Sequence, residues 1–168
     1  MGALSRISAA CALLASTLLL AACADPPPLY VDQAWVRLSA NPDSPSAGYF
    51  IVHGGGTPVT LRGILSDYAQ RIEMHESMAT GGMMTMKPVD KVDIPAGQTV
   101  AFAPGAKHIM LFRINQNAVT QGKIPLTFLF SNGDRIEFDA VIQKTGEPAP
   151  APKEGGAGAA GNATAPAH

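Results

Sequence analysis

The sequence predicts a single all-β domain, a sandwich or barrel, with further segments at both ends. Its apolar stretches are short and are bounded by Gly, Pro, Asn or Asp, which is typical of strands and turns. No stretch has a sustained 3.6-residue period, so no substantial helix is expected. When the end segments are set aside, about 120 residues are left to fold, which is enough for one core.

Residues 1–22 have the composition of a bacterial export signal. Arg6 supplies a positive start, and the apolar run 9–20 is too short to span a bilayer comfortably. The segment ends in Leu-Ala-Ala followed by Cys23, which resembles the lipobox of bacterial lipoproteins, where the cysteine is lipidated and becomes the new N-terminus. An ordinary cleaved signal with an incidental cysteine is the alternative. We therefore expect a periplasmic protein that is lipid-anchored to the envelope membrane through Cys23.

Two segments flank the expected domain, which we place at residues 30–143. Residues 23–29 include three consecutive prolines and predict a stiff, extended tether. Residues 144–168 are rich in Gly, Ala and Pro and lack large apolar side chains. They are expected to be disordered, because they cannot bury enough surface to offset the entropy of ordering.

The strands are expected in the following order along the chain. Seven candidates precede the last hairpin, at residues 30–38, 49–53, 59–64, 71–75, 84–89, 98–102 and 108–114. The last hairpin is the clearest unit, because apolar residues alternate over 124–130 and again over 136–142. Between these strands, Asn132-Gly133 predicts a two-residue turn, since both residues tolerate positive φ.

Charge and cysteine content exclude several classes of function. The formal net charge is −1 and no basic cluster is present, which argues against nucleic-acid binding. Cys11 lies in the export signal, so the exported chain has only Cys23 and can form no internal disulfide. The sequence shows no serine–histidine–acid arrangement, no paired carboxylates in a Gly-bounded loop and no nucleotide loop, so we do not expect an enzyme.

Methionine is concentrated in one part of the chain, and histidines accompany it. Five of the seven methionines lie within residues 74–86. Further on, the chain reads His108-Ile109-Met110-Leu111. Residues two apart in a strand project to the same face. His108 and Met110 are therefore expected to form a pair of candidate ligands on one face, while Ile109 and Leu111 face the core.

A second ligand pair is expected at a hairpin in the methionine-rich segment. His75 and Met86 bracket a Gly-containing loop. A hairpin centred between Thr80 and Gly81 would pair these two residues, with Cβ atoms roughly 5 Å apart. A longer or bulged loop would change this register.

Two imidazoles and two thioethers form a soft, neutral set of ligands. Such a set selects Cu(I), whereas zinc favours harder ligands. Blue-copper electron transfer is disfavoured, because it needs a cysteine thiolate and the domain contains none. Acid is expected to weaken copper binding only through the imidazoles, since thioethers do not compete with protons.

The spacing of His75, Met86, His108 and Met110 resembles the H-x10-M-x21-H-x-M signature of the periplasmic copper A chaperone family, PCuAC. The likeness extends over about residues 30–142 and includes the stretches 34–37, 47–50, 86–89, 94–97 and 104–111. The resemblance implies a cupredoxin-like β-sandwich that holds Cu(I) at an exposed site. It further implies delivery of copper to the CuA centre of cytochrome c oxidase, on subunit II, or to another copper chaperone. We expect a monomer.

The remaining methionines and the tryptophan have less specific interpretations. Met74 alternates with Ile72 and is expected in the core. Met83 and Met84 are candidates for supporting the site beside its ligands. Trp35 is interpreted as a core anchor, with shielding of Cu(I) from water as the alternative.

Two other histidines are interpreted as bystanders. His53 precedes three glycines and predicts a surface histidine at a strand end, followed by a flexible turn. His168 lies in the tail and is expected to be solvated. Additional copper ligation is the alternative for each.

Two other functions remain open. A lipoprotein that sequesters copper for resistance would need the same ligands. A structural envelope lipoprotein could use its methionines as an adhesive patch and would bind no metal.

Overall fold

The computed structural model describes residues 25–80, 83–144, 146–148 and 150. The export signal, Cys23, most of the predicted tail and His168 lie outside the described residues. Within them, no helix is long and apolar enough to cross a membrane. The elements are β1 (Tyr30–Arg37), β2 (Ser46–His53), β3 (Val59–Leu65), β4 (Ala69–Thr80), β5 (Met83–Pro88), β6 (Val92–Ile94), β7 (Thr99–Phe102), β8 (Lys107–Ile114), α1 (Gln116–Gln121), β9 (Lys123–Phe130) and β10 (Arg135–Gln143).

The strands form one open sheet that folds over itself into a sandwich. Their order is β5-β4-β8-β2-β1-β10-β9-β3-β6, and β7 also pairs with β2. Phe50 on β2 contacts Phe128 on β9, with ring centroids 4.7 Å apart, although two strands separate β2 from β9 in the sheet. The two halves of the sheet therefore share one apolar core, and the predicted all-β class is confirmed.

Strand alternation supplies this core, as the sequence pattern indicates. Ile109 and Leu111 on β8 are fully buried, and they alternate with His108 and Met110. Met74 on β4 is 7% exposed and belongs to the core cluster, in agreement with its expected role. One face of β4 and β8 thus packs inside, which leaves their other face for the candidate ligands.

The turn of the last hairpin contains three residues, so the predicted two-residue turn is wrong. Ile136 pairs with Phe128, which leaves residues 131–133 as the loop. Gly133 has φ 93°, the left-handed conformation that ends a three-residue loop. A two-residue turn would place Ile136 opposite Leu129, on the other face of the sheet. The burial pattern therefore sets the register against the local preference of Asn-Gly.

Two elements are absent from the sequence-based prediction. Helix α1 has six residues, and its N-cap Asn115 accepts a hydrogen bond from the Asn117 N–H at 2.8 Å. Gly122 ends the helix with φ 71°. Strand β6 has three residues and pairs with β3. Both elements are too short to produce a readable hydrophobic period.

A bulge in β1 determines which face Trp35 occupies. Gln33 has φ 51°, and the register of β1 against β2 shifts just before Trp35. Ala34 and Val36 then face the core cluster, whereas Trp35 packs on Tyr49 with ring centroids 4.5 Å apart. Trp35 is buried, as expected of an anchor, but it lies against Tyr49 outside the main core cluster.

The three glycines after His53 are closely packed, so their interpretation as a flexible turn is wrong. The Gly54 N–H donates to the Gln98 carbonyl at 2.7 Å, and the Gly97 N–H donates to the Gly55 carbonyl at 2.9 Å. A Cβ on Gly54 would overlap the carbonyl oxygen of Pro95. Glycine is required here because two backbone segments approach each other closely.

Candidate metal centre

The four predicted ligands lie on three neighbouring strands, with β4 between β5 and β8. His75 on β4 pairs directly with His108 on β8, and their ring centroids are 6.0 Å apart. Met110 follows His108 by two residues and therefore projects to the same face. Met86 on β5 pairs with Ser77, two residues after His75, and shares that face as well. The structure thus gathers all four side chains on one face of the sheet.

The β4–β5 hairpin has a different register from the predicted one. His75 pairs with Pro88, so the expected direct pairing of His75 with Met86 is wrong. In the observed register Thr80 pairs with Met83 and Ser77 pairs with Met86. Because side chains alternate with a period of two, this two-residue shift keeps Met86 on the face of His75, as a diagonal neighbour.

An open cavity of about 240 Å³ lies over this face. Met86, His108 and Met110 line it, and Tyr49 closes another part of its wall. His75 lies next to His108 without forming part of the lining. Met86 is 61% exposed whereas His108 is 6% exposed, so the cavity runs from a solvent-accessible thioether to a buried imidazole.

The two imidazoles are oriented by different acceptors. Nδ1 of His108 lies 3.0 Å from the Ala106 carbonyl oxygen, and Nε2 of His75 lies 3.1 Å from the Glu73 carboxylate. Arg71 holds the other Glu73 oxygen at 2.7 Å. A carbonyl and a carboxylate accept only, so these two ring nitrogens carry the protons. The lone pairs are then on His108 Nε2 and on His75 Nδ1, which is buried without a hydrogen-bond partner.

The two methionines expected to support the site lie on opposite faces of β5. Met84 precedes Met86 by two residues and shares its face. Met83 alternates to the other face, as does Met78 on β4, and these two side chains are 71% and 49% exposed. The structure therefore places Met84 beside the candidate ligands and Met83 away from them.

Tyr49 and Trp35 form an aromatic wall next to the cavity. Burial raises the pKa of the Tyr49 phenol above its ordinary value, and the nearby Arg37 charge opposes this effect more weakly. A neutral phenol is a poor metal ligand, so Tyr49 closes the cavity without adding a donor. Trp35 packs against Tyr49, and the Arg37 guanidinium lies 5.0 Å from the indole centroid. The ring of Tyr49 therefore separates Trp35 from the cavity.

His53 lies at the other end of β2 and uses both ring nitrogens in contacts. Nε2 is 3.1 Å from the Asp32 carboxylate, and Nδ1 is 3.3 Å from the Thr99 hydroxyl. The ring also stacks on Tyr30, with centroids 4.2 Å apart. His53 thus lies at a strand end, as expected, but its side chain is only 25% exposed and is held by these contacts, unlike the surface histidine that was expected.

Sequence reasoning missed two residues of the site. Glu73 precedes His75 by two residues, and this same-face spacing is a signal that could have identified it. Tyr49 depends on the pairing of β2 with β8, which no local pattern reveals. Among the described residues, no group of three His, Cys, Asp or Glu side chains could hold a metal ion.

Solved structures with a similar fold include two copper-related domains. A copper-bound PCuAC domain from PmoF2 is 18% identical, with a TM-score of 0.56, and the match covers 72% of this chain and 99% of that one. Cu(I)-loaded DR1885 from Deinococcus radiodurans is 21% identical, with a TM-score of 0.52 and coverage of 79% and 88%. At these identities the comparison establishes the fold, and it confirms the expected cupredoxin-like sandwich.

Sequence comparison assigns the chain to a family. "Putative lipoprotein Lxx21020" from Leifsonia xyli subsp. xyli is 33% identical over 104 residues, which are 61% of this chain and 62% of the relative. The match thus spans less than two thirds of the relative's length. A family model described as "Putative lipoprotein LpqE-like" matches residues 29–142. The chain therefore belongs to the LpqE-like lipoprotein family, and its domain has the fold of PCuAC domains.

Proposed function

We propose that the protein is a Cu(I) chaperone that binds one copper ion with His75, Met86, His108 and Met110. It is anchored on the periplasmic side of an envelope membrane through lipidated Cys23. Copper is its cargo and passes to a partner, either the CuA centre on subunit II of cytochrome c oxidase or another copper chaperone. The protein binds and releases metal and catalyses no reaction.

The hydrogen bonding of the two histidines carries this proposal. Metal-binding histidines almost always donate their second ring N–H to a carboxylate or a carbonyl, which fixes the tautomer and the ring orientation. His108 does so to Ala106 and His75 does so to Glu73. Each ring keeps one nitrogen with a free lone pair, and the two rings are neighbours across paired strands.

The thioethers decide which metal suits the site. Met86 and Met110 line the same cavity as His108, and thioethers prefer Cu(I) over harder divalent ions. Met86 is also the most exposed of these side chains, so an incoming ligand from a partner can replace it first. The copper-bound state of two fold neighbours supports copper as the cargo.

Titration of the purified domain with Cu(I), followed by X-ray absorption of the loaded protein, tests the proposal. We expect the domain to bind one equivalent of Cu(I) and to have little affinity for Zn(II). The absorption data should show sulfur at about 2.3 Å from copper, together with imidazole nitrogen. The double variant His108→Ala, Met110→Ala should lose the copper, whereas Met83→Leu, on the other face of β5, should keep it. Copper coordination without sulfur, or normal copper binding by the double variant, would contradict the proposed site.

Growth experiments separate delivery from sequestration, which would use the same ligands. A strain lacking the protein should grow poorly under copper starvation and lose oxidase activity if the protein delivers copper. Sensitivity confined to copper excess would favour sequestration. If the protein binds no copper, a structural role for the exposed methionines replaces both.

A further inference from the structure

The chain that leads into β1 is packed against the sandwich. The Leu29 backbone nitrogen would lie 3.1 Å from a Cβ built on Gly55, and a Cβ on Gly56 would overlap the Pro26 ring. Neither glycine has a positive φ that would itself demand glycine. These glycines thus leave room for residues 26–29, which run along the domain surface.

Three segments meet at this end of the molecule and carry no charged side chain. They are residues 26–29, 54–58 and 95–98, which we call the proline–glycine end. The Gly97 N–H donates to the Gly55 carbonyl at 2.9 Å, so the two loops form one surface. These segments can approach lipid without the cost of removing charged groups from water, and the adjoining charge, exposed Asp25, lies between Pro26 and the anchor.

The position of the lipidated cysteine limits where a membrane can lie. Cys23 precedes Pro26 by three residues, which span at most about 11 Å when fully extended. The proline–glycine end therefore stays within that distance of the anchor. The cavity lies toward the other end of β2, where Ala47 forms part of its wall. From Ala47 to His53 the strand advances six residues, roughly 20 Å.

We propose that the proline–glycine end rests on the membrane surface and that docking of residues 26–29 holds the cavity about 20 Å farther out. This inference rests on the anchoring at Cys23 in the proposed function. A free tether of the same length would let the domain turn in any direction. The docked segment instead presents the copper site to partners in the aqueous space.

Fluorescence quenching in nanodiscs tests this orientation with the full lipidated chain. Ala96→Cys and Asp43→Cys each add one free cysteine, at the proline–glycine end and in the loop between β1 and β2 at the opposite end of β2. Each is labelled with bimane, and the nanodiscs carry a lipid with a nitroxide headgroup. We expect several-fold stronger quenching of the label at position 96. Equal quenching at the two positions overturns the proposal.

Two glycine variants test whether docking causes the orientation. In Gly56→Ala the new methyl displaces Pro26, so the difference between the two labels should largely disappear. Gly63→Ala is the matched control, because no atom lies within 4 Å of a Cβ at that position. A difference that survives Gly56→Ala shows that residues 26–29 do not orient the domain.

Mass spectrometry of the same preparation separates the orientation from copper binding. A chain without lipid on Cys23 overturns both the anchoring and the orientation, while Cu(I) binding at the cavity would stand. A lipidated chain that fails to bind copper but shows the quenching difference would leave the orientation intact. Weak quenching at both positions means that the proline–glycine end faces something other than lipid, which also overturns the proposal.

Discussion

Individual residues outside the spacing motif set the chemistry of the two histidines. Glu73 and the Ala106 carbonyl fix the ring tautomers and so decide which nitrogen keeps its lone pair. Strand periodicity is enough to predict that Glu73 lies on the face of His75. The contact with Ala106 depends on the local path of the chain before β8, so residue spacing could not predict it.

Removal of the Glu73 carboxylate should weaken copper binding without removing a ligand. In Glu73→Ala the His75 ring loses its acceptor, and we expect Cu(I) affinity to fall about 10- to 100-fold. Competition with a chromogenic Cu(I) chelator measures this change. Glu76→Ala is the matched control, because Glu76 pairs with Lys107 at 2.7 Å on the opposite face of β4. An equal loss of Cu(I) affinity in both variants would mean that the loss comes from removing a negative charge near the site and not from the contact with His75.

The buried phenol of Tyr49 should make the fold sensitive to alkali. Burial raises the pKa of Tyr49 in the folded state above its unfolded value of 10.0. Above that pH the Tyr49 phenol loses its proton more readily in the unfolded chain than in the folded one. The free energy of unfolding therefore falls as the pH rises. In Tyr49→Phe the free energy of unfolding should therefore fall less steeply between about pH 9 and pH 11. Urea unfolding across this range measures the slopes, and parallel curves would contradict the argument.

At the scale of elements, the positions of most strands follow from the sequence, but their registers do not. All nine predicted strands overlap observed ones, because alternation and turn residues mark them locally. The registers of the β4–β5 and β9–β10 hairpins differ from expectation, since each depends on which residues the whole sheet buries. Helix α1 and strand β6 are too short to show a hydrophobic period in the sequence.

The close approach at Gly54 is an element-level contact that a single methyl group should break. In Gly54→Ala the Cβ meets the backbone of Pro95 and Gln98, which a flexible side chain cannot relieve. We expect a loss of about 1–3 kcal/mol in the free energy of unfolding. Denaturant titration measures it, with Gly63→Ala as a control that should change little. Equal stability of the two variants would show that the loops can separate freely.

For the whole molecule, sequence reasoning reached the sandwich but not the order of its strands. The parallel pairing of β1 with β10 and the pairing of both β7 and β8 with β2 join distant parts of the chain. The site depends on such a pairing, because β4 must lie beside β8 for His75 to reach His108. The spacing motif identified four candidate ligands, whereas only the folded sheet shows that they are neighbours.

Copper should redistribute stability within the molecule by joining three strands. Strand β5 lies at the edge of the sheet with six exposed residues, and among the described strands it pairs with β4 alone. Metal shared by Met86, His75 and the β8 ligands would link β5 to the buried part of the sheet, and a ligand that binds only the folded state stabilises it. Amide hydrogen exchange should slow in Met83–Pro88 on Cu(I) loading, while amides of β9 and β10 that exchange by local opening should keep their rates. The variant His108→Ala, Met110→Ala should show no such protection. Uniform slowing along the chain would mean that copper stabilises the fold globally and does not clamp its edge strand.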